Sequence, residues 1–181
     1  QHPLLQSLLG NGFNEPEPTL NREDQIDEHI DPRDLHQVVN ADSSQILAIN
    51  DVHQGRNLVI QGPPGTGKSQ TITNLISNAI ANDQNVLFVS EKMAALEVVK
   101  RRLDEIGLGM ACLELHSHNY KKKSFLNELE NTLKLDAPVS KTDDIALEEL
   151  VRNRDKLNKY AELVHSPMGE SHRTPYQAYG K

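Results

Sequence analysis

Gly62-Pro63-Pro64-Gly65-Thr66-Gly67-Lys68-Ser69 is the stretch of sequence that decides the fold. It matches the phosphate-binding loop pattern G-x-x-x-x-G-K-[ST] at every specified position. The apolar run 57–61 before it predicts a short buried strand, and the apolar spacing of residues 68–82 after it predicts a helix. Because the loop chemistry needs this strand-to-helix setting, a chance Gly-Pro turn that carries a lysine is the poorer interpretation. The stretch therefore indicates a site for a nucleoside triphosphate.

Each residue type in the loop has a chemical reason to be there. Glycine lets the backbone adopt conformations closed to other residues and lets amides approach a polyphosphate at the positive end of a helix. Lys68 would reach the β- and γ-phosphates as a point charge, and Ser69 would supply a hydroxyl to Mg2+. We therefore predict Lys68 and Ser69 as catalytic residues and Ser69 as the magnesium ligand. The predicted ATP-binding residues of this stretch are Gly62, Pro63, Pro64, Gly65, Thr66, Gly67, Lys68, Ser69 and Gln70.

The overall composition limits the class of protein. With 181 residues the chain can form one α/β domain with an appendage, and its net charge of −7 argues against a generally basic nucleic-acid coat. A locally basic groove remains compatible with that charge. The single cysteine, Cys112, excludes an internal disulfide framework and fits a reducing compartment. No apolar run is long enough for a bilayer and residues 1–10 do not read as a signal peptide, so we expect a cytoplasmic protein without a membrane partner.

Three regions follow one another along the chain. Residues 1–40 read as an irregular acidic lead-in, and residues 41–120 as a partial ATP-binding core. In that core the predicted helices 43–54, 68–82 and 91–106 alternate with strands 57–61, 86–89 and 110–115, which predicts an α/β fold with a parallel sheet. Residues 121–181 read as two helices, 121–135 and 143–165, with a polar tail. They can form an antiparallel hairpin inserted in the fold or a bundle packed flat on the sheet.

Gln45 is the second candidate binding residue, seventeen residues before Gly62. A glutamine amide can donate to and accept from an adenine edge at once. A lone glutamine on a helix is usually a surface residue, but its spacing from the phosphate loop favours a role in adenine recognition. We therefore predict that Gln45 selects ATP.

These features together resemble the superfamily 1 helicases, and above all large bacterial members of that group. The resemblance rests on the Ser-Gln at 44–45, the loop with Gln61 before it, and the run Val-Leu-Phe-Val-Ser-Glu-Lys-Met-Ala-Ala-Leu-Glu-Val-Val at 86–99. It is strong over about 38–119, weaker to residue 181 and slight before residue 30. It implies a first RecA-like motor domain with a P-loop, with Gln45 as the adenine reader and Ser90–Ala94 in contact with one nucleic-acid strand.

Four residues are candidates for that nucleic-acid contact: Ser90, Lys92, His116 and Asn119. Ligands of open α/β sheets bind beyond the carboxyl ends of the strands, where all four would lie. Ser90 can equally be the N-cap of the next helix. The histidines at 116 and 118 have no third ligand nearby, so they are a weak zinc signal.

The mechanism is limited by what does not follow the loop. No apolar run ending in Asp-Glu comes after it, and the resemblance implies that the Mg2+-holding aspartate, the water-activating glutamate and the arginine fingers lie in a longer chain. We expect an N-terminal fragment of an ATP-dependent helicase or translocase that binds ATP and Mg2+ but hardly hydrolyses ATP. Its expected partners are single-stranded DNA or RNA and a second RecA-like domain of its own chain. The alternatives are a P-loop motor or switch module of a restriction or other nucleic-acid-processing system, and a nucleotide-binding scaffold without motor activity.

Overall fold

The computed structural model describes residues 3–10, 12, 18, 20, 26–115, 122–134, 144–169 and 172–180. The chain divides into two compact units, Gln1–Pro138 and Val139–Lys181. The described helices of the first unit are α1 (Pro3–Leu9), α2 (Ile26–His29), α3 (Ser43–His53), α4 (Lys68–Ala81), α5 (Met93–Glu105) and α6 (Lys122–Leu133), with a 3-10 turn at Gly109–Ala111. Those of the second unit are α7 (Asp144–His165) and α8 (Pro175–Tyr179). None of these described helices is both long enough and apolar enough to cross a membrane.

The five longest helices confirm the helices predicted from apolar spacing, with ends within two residues of the predicted ones. Their ends follow local chemistry. Asp42 caps α3 by accepting from the backbone N–H of Gln45, and Gly107, at φ +80°, stands just past the C-cap of α5. Such helix ends depend on neighbouring residues and can therefore be predicted from the sequence.

The three segments predicted as strands form no strand within the described ranges. Residues 56–63 and 84–90 belong to no helix or strand, and the side chains of Val59, Leu87 and Val89 are 88%, 84% and 77% exposed. Their apolar faces are exposed because no neighbouring strand covers them among the described residues. The third strand was predicted to begin at Met110, and this is wrong, because the 3-10 turn Gly109–Ala111 occupies that position. The parallel sheet itself stays a prediction.

The apolar core of the first unit lies between α4 and α5. Its buried members are Ile76 of α4 and Val99 and Leu103 of α5, which are 8%, 4% and 3% exposed. The half-buried side chains packed around them are Ile72, Ile80, Phe88, Ile106, Leu108 and Cys112. Phe88 thus packs one side of segment 86–89 against the core.

A second, polar face of α4 is buried as well. Its members are Thr71, Thr73, Asn74, Ser77 and Asn78, each at most 5% exposed. Thr73 is fully buried and its hydroxyl donates to the Ser69 carbonyl at 2.8 Å. Buried polar groups need partners, and Asn74 finds its partners outside the helix, in the segment before α3, which lies on that side together with α3.

Charged side chains surround the end of α5. The Lys100 ammonium lies 2.5 Å from the Asp104 carboxylate and 3.9 Å from that of Glu114. Burial opposes the charge of Lys100, but the hydrogen bond and the attraction of Asp104, together with Glu114, raise its pKa above the ordinary value. Cys112 lies beside this cluster, and burial raises the pKa of its thiol.

The second unit is a helical one. After α7, Met168 and Arg173 form an isolated antiparallel bridge, which turns the chain into α8. Thr174 caps α8 in a reciprocal pair with Gln177, and Pro175 occupies the first helical position. The division at Pro138–Val139 differs in place from the predicted boundary at 120–121, and that three-region division stays a prediction.

Candidate functional site

The glycine-rich loop is held closed by its own hydrogen bonds. The Thr66 hydroxyl donates to the Pro63 carbonyl at 2.9 Å, and a Cβ on Gly62 would lie only 2.5 Å from that hydroxyl oxygen. Gly65 and Gly67 have φ angles of +90° and +76°, a left-handed region that L side chains rarely adopt. Gly67 is the N-cap of α4, so the loop ends where the helix begins. These glycines are required by the backbone itself, and the loop forms the turn that the sequence predicts.

The backbone amides around this turn form a nest of donors. Among the described residues, the N–H groups of Gly65, Gly67, Lys68 and Ser69 make no hydrogen bond. They lie at the start of α4, where the aligned peptide dipoles give a positive potential. Unpaired amides at a positive helix end bind anions. A phosphate group fits this arrangement.

The Lys68 ammonium lies over the loop. It donates to the carbonyls of Gly62 at 2.5 Å and Pro63 at 2.8 Å, and the side chain is exposed. An ammonium has three donors, so one of them stays available to an incoming oxygen. Lys68 is thus held at the mouth of the amide nest.

Gln45 contacts the loop directly. Its Nε2 donates to the Thr66 carbonyl at 3.0 Å, and its Oε1 accepts from the Asp42 N–H at 3.2 Å. A Cβ on Gly67 would lie 2.5 Å from that Nε2, so the close approach needs a glycine. An amide side chain has two donor hydrogens and two acceptor lone pairs, so Gln45 keeps one of each for a ligand. Its selection of adenine stays a prediction, and the geometry adds a link between α3 and the loop.

Two carboxylates belong to α3 and its cap, those of Asp42 and Asp51, and both are hydrogen-bonded within the chain. Asp42 accepts from the Ser44 hydroxyl at 2.6 Å and from the Gln45 N–H at 2.9 Å, and these bonds hold the pKa of its carboxyl below the usual value. Asp51 forms an ion pair with Arg56 at 2.9 Å. Both carboxylates therefore have structural partners.

A cavity of about 1000 Å³ joins these parts. It is lined by the phosphate loop, by α3 and the residues before it, and by the segment that leads into the loop. The lining residues are Pro18, Leu20, Asn40, Ala41, Asp42, Ser44, Gln45, Leu47, Ala48, Asp51, Leu58, Val59, Ile60, Gln61, Gly62, Pro63, Gly65, Thr66, Gly67, Lys68, Gln70 and Thr71. The volume suits a nucleotide, with a polar end at the loop and apolar side chains beside it.

Most predicted binding residues line this cavity, but Pro64 and Ser69 do not. Conversely, the cavity includes Pro18 and Leu20, which the sequence placed in an irregular lead-in. No local pattern marks these two, since their position depends on the path of the chain rather than on their neighbours in sequence.

A magnesium ion would depend on few protein ligands here. Ser69 lies half-buried in the first turn of α4, and within the described ranges no cluster of three or more His, Cys, Asp or Glu side chains could hold a metal ion. Mg2+ at nucleotide sites is commonly held by one or two protein groups and by the phosphates themselves. Magnesium binding by the Ser69 hydroxyl stays a prediction.

The candidate nucleic-acid residues are described only in part. The Ser90 hydroxyl accepts from the Lys92 N–H and donates to the Lys92 carbonyl, both at 3.3 Å. The N-cap of α5 is Lys92 and not Ser90, because the helix begins at Met93. The interpretation of Ser90 as a plain N-cap is therefore wrong, and Ser90 instead closes a short turn before the helix. His116 and Asn119 lie outside the described residues.

Comparisons with known proteins point in one direction. A family model described as an AAA domain matches residues 40–174. A Mycoplasma genitalium protein named uncharacterized ATP-dependent helicase MG140 is 46% identical over 76 residues, which are 42% of this chain and 7% of that protein. Its Mycoplasma pneumoniae homolog is 50% identical over 62 residues, which are 34% of this chain and 6% of that protein. The matches thus span a small part of those curated relatives. No solved structure gives a significant match.

Proposed function

The chain belongs to the AAA domain family, and on that premise we propose that it is the first, RecA-like, ATP-binding domain of a superfamily 1 helicase or translocase. The observation that carries the proposal is the loop 62–69. Its left-handed glycines lead into α4, its unpaired amides form an anion nest, and its lysine lies over them. The two Mycoplasma proteins that carry helicase names support the nucleic-acid part of the proposal.

In this proposal the chain's own groups bind and orient the nucleotide. The amides of Gly65 to Ser69 hold phosphate oxygens, and Lys68 moves from the loop carbonyls to the outer phosphates. Ser69 holds Mg2+ through its hydroxyl, and Gln45 uses its remaining donor and acceptor on adenine. When bound, ATP with Mg2+ supplies the phosphoryl group to be transferred.

Hydrolysis needs further charges around the γ-phosphate. A carboxylate must hold the metal, another must orient water, and cations must stabilise the developing charge. Asp42 and Asp51, the two carboxylates of the cavity lining, are already bonded within the chain. We therefore expect the 181-residue chain to bind ATP while turning it over far more slowly than a helicase does.

The track is proposed to be a single strand of DNA or RNA. Ser90 and Lys92 would contact it at the start of α5, since backbone and side-chain donors at helix starts bind phosphates. A second RecA-like domain of a longer chain would close over the nucleotide and alter the grip on the strand.

ATP hydrolysis by the protein at its full natural length tests the proposal. We expect single-stranded DNA or RNA to stimulate hydrolysis, and Lys68→Ala to abolish it. The matched control is Lys134→Ala, which removes another exposed lysine just past the end of α6, where its ammonium pairs with Glu130 at 2.6 Å. Lack of stimulation by either polymer would contradict the motor and favour a switch module or a nucleotide-binding scaffold.

A further inference from the structure

Asn74, on the buried polar face of α4, bonds to a distant part of the chain. Its side chain is 1% exposed. Its Oδ1 accepts from the backbone N–H groups of Val38 and Val39, both at 3.0 Å, and its Nδ2 donates to the Val39 carbonyl at 2.9 Å. The amide thus makes three hydrogen bonds to two consecutive residues.

One turn further along α4, Asn78 continues the same contact. Its Oδ1 accepts from the His36 N–H at 3.3 Å, and the side chain is 5% exposed. We call Asn74 and Asn78 the asparagine clamp. Together they attach segment 36–39 to the helix that starts at Lys68. A buried amide that loses its partners is unfavourable, so the attachment is specific in register.

The clamped segment leads straight into the wall of the cavity. Asn40, Ala41 and Asp42 follow it and line the cavity. Asp42 then caps α3 and fixes Gln45, and Gln45 returns to the loop through the Thr66 carbonyl. These hydrogen bonds and the backbone between them therefore form a closed ring. It runs from Asn74 of α4 through segment 36–39 and Gln45 to the loop, and so back to the start of α4.

From this ring we infer that Asn74 is a positioning residue that sets the wall of the cavity carrying Gln45, and through it the preference for adenine. The inference rests on the proposed function, because it assumes that a nucleotide base lies against that wall. Asn74 itself does not line the cavity. The amide nest depends on the loop and on the first turn of α4, so phosphate binding does not need the clamp. Base selection and phosphate binding are thus separable.

The test compares three probes on the 181-residue protein: ATP, GTP and inorganic tripolyphosphate. Asn74→Asp keeps the acceptors for Val38 and Val39 but cannot donate to the Val39 carbonyl. We expect it to weaken ATP binding by about tenfold, the effect of one lost positioning hydrogen bond, while tripolyphosphate binding stays the same. The preference for ATP over GTP should fall by a similar factor. Backbone amides of Val38 and Val39 should also exchange their hydrogens faster.

Asn127→Asp is the matched control, because it makes the same chemical change at an exposed position of another helix of the same unit, α6. It should leave all three affinities unchanged. If Asn74→Asp does not fold, Val38→Pro removes one of the two N–H donors without touching α4, and the same selective loss is expected.

Two results would overturn the inference. One is an equal loss of ATP and tripolyphosphate binding, which would mean that Asn74 acts through the loop. The other is unchanged ATP binding although the Val38 and Val39 amides exchange faster. A wild-type protein that binds neither ATP nor tripolyphosphate would instead contradict the proposed function.

Discussion

Replacement of Gly67 by alanine tests how Gln45 and the phosphate loop depend on each other. Gly67 has φ +76° and ψ 19°, and a Cβ there would lie 2.5 Å from Gln45 Nε2 and 2.7 Å from Gln70 Oε1. Both atoms are the far ends of flexible side chains, so they can move aside. If Gln45 moves, however, its hydrogen bond to the Thr66 carbonyl is lost.

The expected destabilisation has two parts. A left-handed conformation costs an alanine about 1–2 kcal/mol, and the lost hydrogen bond costs about 0.5–1.5 kcal/mol, so Gly67→Ala should lower the unfolding free energy by about 1.5–3.5 kcal/mol. Gly65→Ala is the matched control. Its φ is +90°, but no atom lies within 4 Å of the added Cβ, so only the backbone part applies.

The assay is native-state hydrogen exchange of the α3 and α4 amides, which reports the opening of the unit that contains both helices. Each glycine variant is measured with Gln45 and with Gln45→Ala. We expect the effect of Gly67→Ala to fall by about 0.5–1.5 kcal/mol in the Gln45→Ala background, and that of Gly65→Ala to stay unchanged. Additive effects for Gly67→Ala and Gln45→Ala would refute the contact between Gln45 and the loop.

Three further predictions concern charge and the thiol. Asp42→Ala should speed amide exchange in the first turn of α3, while Asp42→Asn should not. Because the pKa of Asp42 is lowered from 3.8, the contribution of its carboxylate to the stability of that turn should be complete above pH 3.8 and disappear as the pH falls below it. A pH series of the exchange rates checks this. Cys112 should react with iodoacetamide at pH 8 more slowly than a free thiol does, because burial raises its pKa and reduces the thiolate fraction; equal rates would contradict this. Lys100→Met should lower the unfolding free energy measured in urea by at most about 1 kcal/mol, since its partner Asp104 is half-exposed. The same change should slow the alkylation of Cys112 further, because the ammonium no longer stabilises the thiolate.

The parts of the structure that depend on neighbours in sequence could be predicted. The glycines and the lysine of the loop 62–69 predict its turn, and α4 and α5 show apolar residues at helical spacing. The start of α3 also has a local signal, because Asp42 and Gln45 stand at the spacing of a capping box. Sequence patterns of this kind need no knowledge of the rest of the chain.

The parts of the structure that depend on contacts between distant residues could not be predicted from the sequence. Asn74 and Asn78 look like solvated polar residues of an amphipathic helix, and only the path of segment 36–39 makes them buried partners. Pro18 and Leu20 reach the cavity for the same kind of reason. The predicted third strand begins at Met110 because that residue is apolar, whereas the turn Gly109–Ala111 found there depends on how α5 ends.

The apolar side chains that are exposed on segments 57–60 and 86–89 affect how the protein must be handled in solution. Val59, Leu87 and Val89 are among the most exposed large apolar residues of the described chain, on backbone without a strand partner there. Such segments accept strands from other molecules, and association between two molecules rises steeply with concentration. Affinities measured by titrating concentrated protein would therefore mix nucleotide binding with self-association. A dilution series, with light scattering beside it, separates the two.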